Sequence, residues 1–172
     1  MNKKYWKFSV IIFLGGVLAL SFFYWWEIKS CWNILEKSIS WNSMEPLVSS
    51  WEKLNIHIWH YNCNKLSRWD LIAYDFANSW NLYIKILYGL PWDKILFKNS
   101  QLIINNNILK NSTWKEYVFS KDEEKLISLY IINWKLKKWS YLIFWDNISN
   151  STDSRKFWAI WNKDIIWKFY FK

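Results

Sequence analysis

Between its apolar segments this chain turns almost without glycine. In "YGLPWDKI", residues 88–95, Pro91 is followed by Trp92, at a point where a tight turn wants the one residue that takes positive φ without a steric cost. The chain holds 3 glycines and 17 tryptophans, against roughly 12 glycines at the average usage of about 7%. Many of the tryptophans stand beside Asp, Asn, Lys or Ser in polar, turn-like stretches, where packing gives no reason for an indole.

The segments that these turns separate are "DLIAYDF", "NLYIKILYGL", "QLIINNNIL", "YVF", "LISLYII" and "SYLIFW". Short runs rich in Ile, Leu, Tyr and Phe, bounded by polar clusters, read as strands. The Asn-rich "NNNILKNSTW" reads as a hairpin loop. One stretch carries a helix start, "SKDEEKLISLY", with Ser120 as cap and Glu123 three residues on. The expected fold is mainly β, an antiparallel β-rich domain behind an N-terminal single transmembrane helix. At 172 residues the chain has room for one globular core.

The helix is expected in "FSVIIFLGGVLALSFFYWW", Phe8 to Trp26, an uncharged run about long enough to cross a ~30 Å hydrocarbon layer. It ends in bulky aromatics rather than a small-residue cleavage site, which favours an uncleaved anchor. Lys3, Lys4 and Lys7 precede it and Lys29 alone follows closely, so the charge bias puts the N-terminus in the cytoplasm. Residues 1–29 then form the cytoplasmic N-terminus and anchor, and residues 30–172 an extracytoplasmic domain on the cell membrane.

The net charge of +9 suits an anionic surface, but the basic residues are scattered and form no basic-aromatic cluster on a nucleic-acid motif. Membrane lipid is the expected partner and nucleic acid is not. Cys31 and Cys63 fit neither a disulfide framework nor a metal knuckle and read as incidental. His57 and His60 lack further ligands at a sensible spacing, so neither metal nor cofactor is expected.

Four stretches carry chemistry in a fixed order: Ser43-Met44-Glu45-Pro46; Arg68-Trp69-Asp70; Lys85 ahead of Gly89-Leu90-Pro91-Trp92-Asp93; and Trp145-Asp146-Asn147 followed by Ser151-Thr152-Asp153-Ser154-Arg155. Together they resemble the type I signal peptidases, membrane-anchored serine proteases that remove signal peptides from exported proteins. The family pattern has glycine where this chain has Trp41, Trp51, Trp69, Trp92, Trp145 and Trp158, and Trp139 and Trp167 also fit turn glycines. One replacement at one class of site points to the genetic code: UGA read as glycine by the source lineage and as tryptophan in translation.

The resemblance implies that Ser43 attacks the scissile carbonyl and Lys85 takes its proton. It gives Ser151 the task of orienting the lysine, and makes Asp153 and Arg155 a charged pair holding the site's shape. Met44, Pro46, Asp146 and Asn147 are supporting residues of the same boxes. The implied substrate is the end of a signal peptide bound as an extended strand, and the implied protein a monomer. Alternatives are a dedicated processing peptidase of a pilus or conjugation system, and a non-catalytic, anchored peptide-binding β domain.

Overall fold

The computed structural model describes residues 33–38, 44–75, 82–149 and 152–171. The anchor segment, Trp41, Ser43 and Ser151 lie outside them; among the described residues no helix is long and apolar enough to cross a membrane.

In chain order the elements are β1 (Asn33–Ser38), β2 (Lys53–Ile58), α1 (His60–Cys63), β3 (Leu71–Asp75), β4 (Leu82–Gly89), β5 (Ile95–Lys98), β6 (Gln101–Ile104) and β7 (Asn107–Ile108), followed by α2 (Lys121–Ser128), β8 (Ile131–Ile132), β9 (Lys135–Leu136), β10 (Ser140–Phe144), α3 (Ser154–Phe157), β11 (Ile160–Trp161) and β12 (Ile165–Tyr170). One seven-stranded sheet runs β1-β2-β12-β3-β4-β10-β11, and β5-β6-β7 and β8-β9 form two small sheets. Every named strand pair is antiparallel, so the mainly β, antiparallel expectation holds.

An antiparallel sheet with one wet face alternates apolar and polar residues, whereas β3, β4 and β10 are apolar almost throughout. Both faces are covered. Leu71, Ala73, Ile84, Ile86, Tyr88, Leu142 and Phe144 point into the main core with Met44, Val48, Tyr117 and Phe119. Ile72, Tyr74, Leu87, Tyr141 and Ile143 point the other way, onto Phe157, Ile160 and Ile165. Gly89 ends β4 beside a register shift in its pairing with β10. A Cβ there would come within 2.7 Å of the Leu142 Cβ, so the close approach of the two strands requires glycine.

The expected helix start is present: Ser120 Oγ accepts from the Glu123 amide, and the Glu123 carboxylate accepts from the Ser120 amide at 2.8 Å. The helix takes Leu126 to Ser128 out of the expected strand "LISLYII", leaving Ile131–Ile132 as β8. "YVF" forms no strand; Val118 makes one isolated bridge to Gln101. "QLIINNNIL" is a hairpin, with Asn105 and Asn106 as its positive-φ turn. Strands β1, β2 and β12 went unread because charged and polar residues interrupt "NILEKS", "KLNIHI" and "IIWKFY".

The tryptophans take the backbone that the turns demand. Trp51, Trp69, Trp92 and Trp139 are each the third residue of a four-residue turn closed by an i to i+3 hydrogen bond, with φ of 70°, 72°, 72° and 68°. Those are type II turns, which want glycine at that position, and the Trp92 turn has Pro91 at the favoured place before it. Asn133 (φ 50°) and Trp134 (φ 63°) join β8 to β9 as a two-residue type I′ loop, whose preferred sequence is Asn-Gly. Trp59 and Trp114 are left-handed at 65° and 63°, and Trp158 adopts φ 89°, ψ −172° at the end of α3. Trp167, expected at a turn, lies inside β12 beside a bulge.

Cys63 is disulfide-bonded, which corrects its reading as incidental; the chain's other cysteine, Cys31, lies outside the described residues. Two cysteines 32 residues apart carry no spacing signature. The pairing of β1 with β2 runs from Asn33 opposite Ile58, and this long-range register is what sequence spacing does not reveal.

Candidate active site

Lys85 lies mid-strand in β4, opposite Ile72 of β3. Strand alternation gives it the same face as Tyr83 and Leu87, and it is wholly buried there. No carboxylate among the described residues pairs with its ammonium. The Nζ donates to the Ile84 carbonyl at 3.0 Å and otherwise faces rings: Trp145 at 4.0 Å, Tyr83 at 5.2 Å and Tyr74 at 5.7 Å from their centroids. Burial holds the Lys85 amine well below its ordinary 10.5, and the Asp153 charge offsets this only in part. A buried ammonium without a counter-ion loses its proton readily, and a neutral amine is a base.

From the Ser-Met-x-Pro box, Met44 is buried in the main core, on the Ile84 and Ile86 side of β4, and its carbonyl accepts from the Val48 amide at 2.9 Å. Asp146 fastens the box. Its carboxylate accepts from the Leu47 amide at 3.1 Å, the Ser112 amide at 2.8 Å and the Ser112 hydroxyl at 2.5 Å, while its carbonyl accepts from Asn111 at 3.0 Å. One wholly buried carboxylate thus ties the segment after Ser43 to the 111–113 loop. Between them runs a cleft of 600 Å³ lined by Glu45, Pro46, Asn111, Lys115, Asp146 and Asn147, among others.

Asp153 and Arg155 are the expected pair, both buried and joined at 3.0 and 2.8 Å by Nε and Nη2. Asp153 also caps α3 through the Arg155 amide and accepts from the Trp145 amide at 3.1 Å. The pair therefore fixes the backbone beneath Lys85's aromatic lid. Ser154, quoted in its box without a role, accepts from the buried Ile143 amide at 2.9 Å. Arg68 donates to Asp93 at 2.7 Å and to the Tyr88 carbonyl. Asp70 takes Ser67 N–H, the Tyr61 hydroxyl and the Lys168 ammonium. Residue type alone did not assign Arg68, Asp70 or Asp93, although the aspartate directly after Trp69 and after Trp92 was the signal available for the two acids.

Lys85, Trp145, Asp153 and Arg155 come together around β4 and β10, while Pro46, Asp146 and Asn147 line the cleft and Met44 lies in the main core. Ser43 and Ser151 lie outside the described residues. His57 and His60 stand apart beside Tyr170, and no group of three or more metal-binding side chains occurs among the described residues.

The signal peptidase family, peptidase S26, matches residues 6–171. The chain is 28% identical over 128 residues to signal peptidase I P of Bacillus subtilis subsp. natto, covering 72% of this chain and 67% of that one. It is 27% identical over 144 residues to signal peptidase IB of Staphylococcus aureus strain Mu50, covering 78% and 75%. A crystal structure of a signal peptidase I from Enterococcus faecalis V583 aligns with a TM-score of 0.39 at 20% identity, over 59% of this chain and 94% of that one. With the family model matching nearly its whole length, the chain belongs to the signal peptidase family, peptidase S26, and is a serine peptidase.

Proposed function

We propose that this protein is a membrane-anchored endopeptidase that removes signal peptides from exported proteins, with Ser43 as nucleophile and Lys85 as general base. The observation that carries the reading is the buried setting of Lys85, with no carboxylate paired to its amine among the described residues, which favours the neutral form. The amine takes the Ser43 hydroxyl proton as the serine attacks the scissile carbonyl. The same proton then passes to the leaving amine, and water, deprotonated in turn by Lys85, releases the acyl group. Ser151 orients the amine; Asp153, Arg155 and Asp146 hold the frame; Met44, Pro46 and Asn147 shape the approach. The signal peptide lies extended along the cleft, its polar backbone paired with strand edges.

Phe8 to Trp26 anchors the domain, with residues 30–172 outside the cytoplasm. The disulfide at Cys63 supports this side, since such bonds persist in oxidising surroundings. Protease added outside intact cells is expected to digest residues beyond 30, and protection until lysis would reverse the topology. Ser43→Ala and Lys85→Ala are each expected to lower cleavage of a signal-peptide substrate by about 10³-fold or more with the fold retained. Near-normal turnover by either variant would remove the dyad.

A further inference from the structure

Glycine is the residue that eight turns of this protein require, and tryptophan is what the written sequence gives all eight. Eleven tryptophans lie in the described residues, and eight of them, at 51, 59, 69, 92, 114, 134, 139 and 158, have positive φ; 145, 161 and 167 do not. A few per cent of non-glycine residues adopt such angles, so eleven residues would contribute roughly 0.5. The other positive-φ residues are Asn99, Asn105, Asn106, Asn133 and Ser100, four of them the asparagine that tolerates the left-handed region. Gly89, the described residue that is written glycine, does not use positive φ.

Six of these positions specify glycine by their backbone type. Trp51, Trp69, Trp92 and Trp139 are the third residues of type II turns, Asn133-Trp134 occupies the centre of a type I′ hairpin, and Trp158 a region of φ and ψ that is essentially glycine-only. Nor do the indoles repay the strain by packing: the eight side chains are 44% to 80% exposed, where a working tryptophan buries most of its surface. Positions 59, 114 and 134 lie outside the sequence boxes, so the pattern belongs to the backbone and not to the motifs.

Trp145 differs in geometry. Its indole lies over Lys85 at 4.0 Å, with a buried N–H that has no partner among the described residues. Its backbone is held on both sides, the amide by Asp153 and the carbonyl by the Tyr117 hydroxyl at 2.7 Å. The main chain at 145 is therefore built in, and the side chain is the part that does not fit.

We infer that the working protein carries glycine at 51, 59, 69, 92, 114, 134, 139 and 158, and also at 145, because the gene's UGA codons are decoded as glycine where it functions. Removing the indole at 145 takes away the ring that covers the Lys85 amine at 4.0 Å; that last step rests on the proposed dyad, and the turn positions do not. The test is mass spectrometry of peptides from the protein isolated from its own cells. Glycine masses at the nine positions are expected, and tryptophan masses at 69, 92, 134 and 158 would overturn the inference. Glycine masses in a protein that cleaves no signal peptide would leave the inference standing and remove the proposed function. A recombinant chain with all nine Trp→Gly substitutions is expected to melt roughly 10 °C or more above the chain as written. An equal or lower midpoint would count against glycine at these turns.

Discussion

The interior around Lys85 and the turns at the surface treat their residues in opposite ways. Inside, each buried charge at Asp146, Asp153 and Arg155 has its partners, and the Lys85 amine, with no carboxylate paired to it among the described residues, is held well below its ordinary 10.5 by burial. In the turns, the residue type contradicts the backbone at eight places, always with the same side chain. A sequence under selection agrees with its fold at most levels. A conflict confined to one residue type, across turns otherwise well formed by Pro91, Asn133, Asp70 and Asp93, locates the fault in that letter and leaves the architecture intact.

The comparison breaks most sharply at Asp153. Replacing it with Ala leaves the buried Arg155 guanidinium and the Trp145 and Arg155 amides without their acceptor, at a cost of about 3–5 kcal/mol. Urea unfolding measures it, and a loss under 1 kcal/mol would show that the pair is not the brace described. In the turns the sign reverses. Trp92→Gly is expected to stabilise by about 1 kcal/mol, because the left-handed strain goes and little buried surface is lost. Trp161→Gly sharpens the contrast: at φ −103°, with its side chain exposed, it gains nothing and costs about 0.5–1 kcal/mol. Stabilisation at both positions would mean that exposed indoles, and not backbone angles, set the difference.

How much was legible depended on which forces wrote the pattern. The order of the four boxes was visible, and with it Lys85, Asp146, Asp153 and Arg155, because these residues lie in short local motifs. The buried strands β3, β4 and β10 were visible as apolar runs. Their shared reason, a sheet covered on both faces, was not, since periodicity reports one face at a time. Strands β1 and β12 were hidden because their pairing depends on partners far along the chain. The tie from Asp146 to Leu47 spans 99 residues and has no local signature. Turn tryptophans at 59, 114 and 134 were missed for a simpler reason: they sit in no box, and only backbone angles reveal what those positions need.

Lys85 is the point at which the fold and the proposed function meet, since burial that would destabilise an ordinary lysine is what would make this one a base. The direct measurement is kcat/KM for a signal-peptide substrate as a function of pH, on the native chain and on Lys85→Met. A base works in its neutral form, so the native rate is expected to rise with pH through a midpoint well below 10.5 and then level off. Lys85→Met should stay at least about 10²-fold below it across the range. A Lys85→Met enzyme that turns over within a few-fold of the native chain, with the same pH profile, would contradict the account.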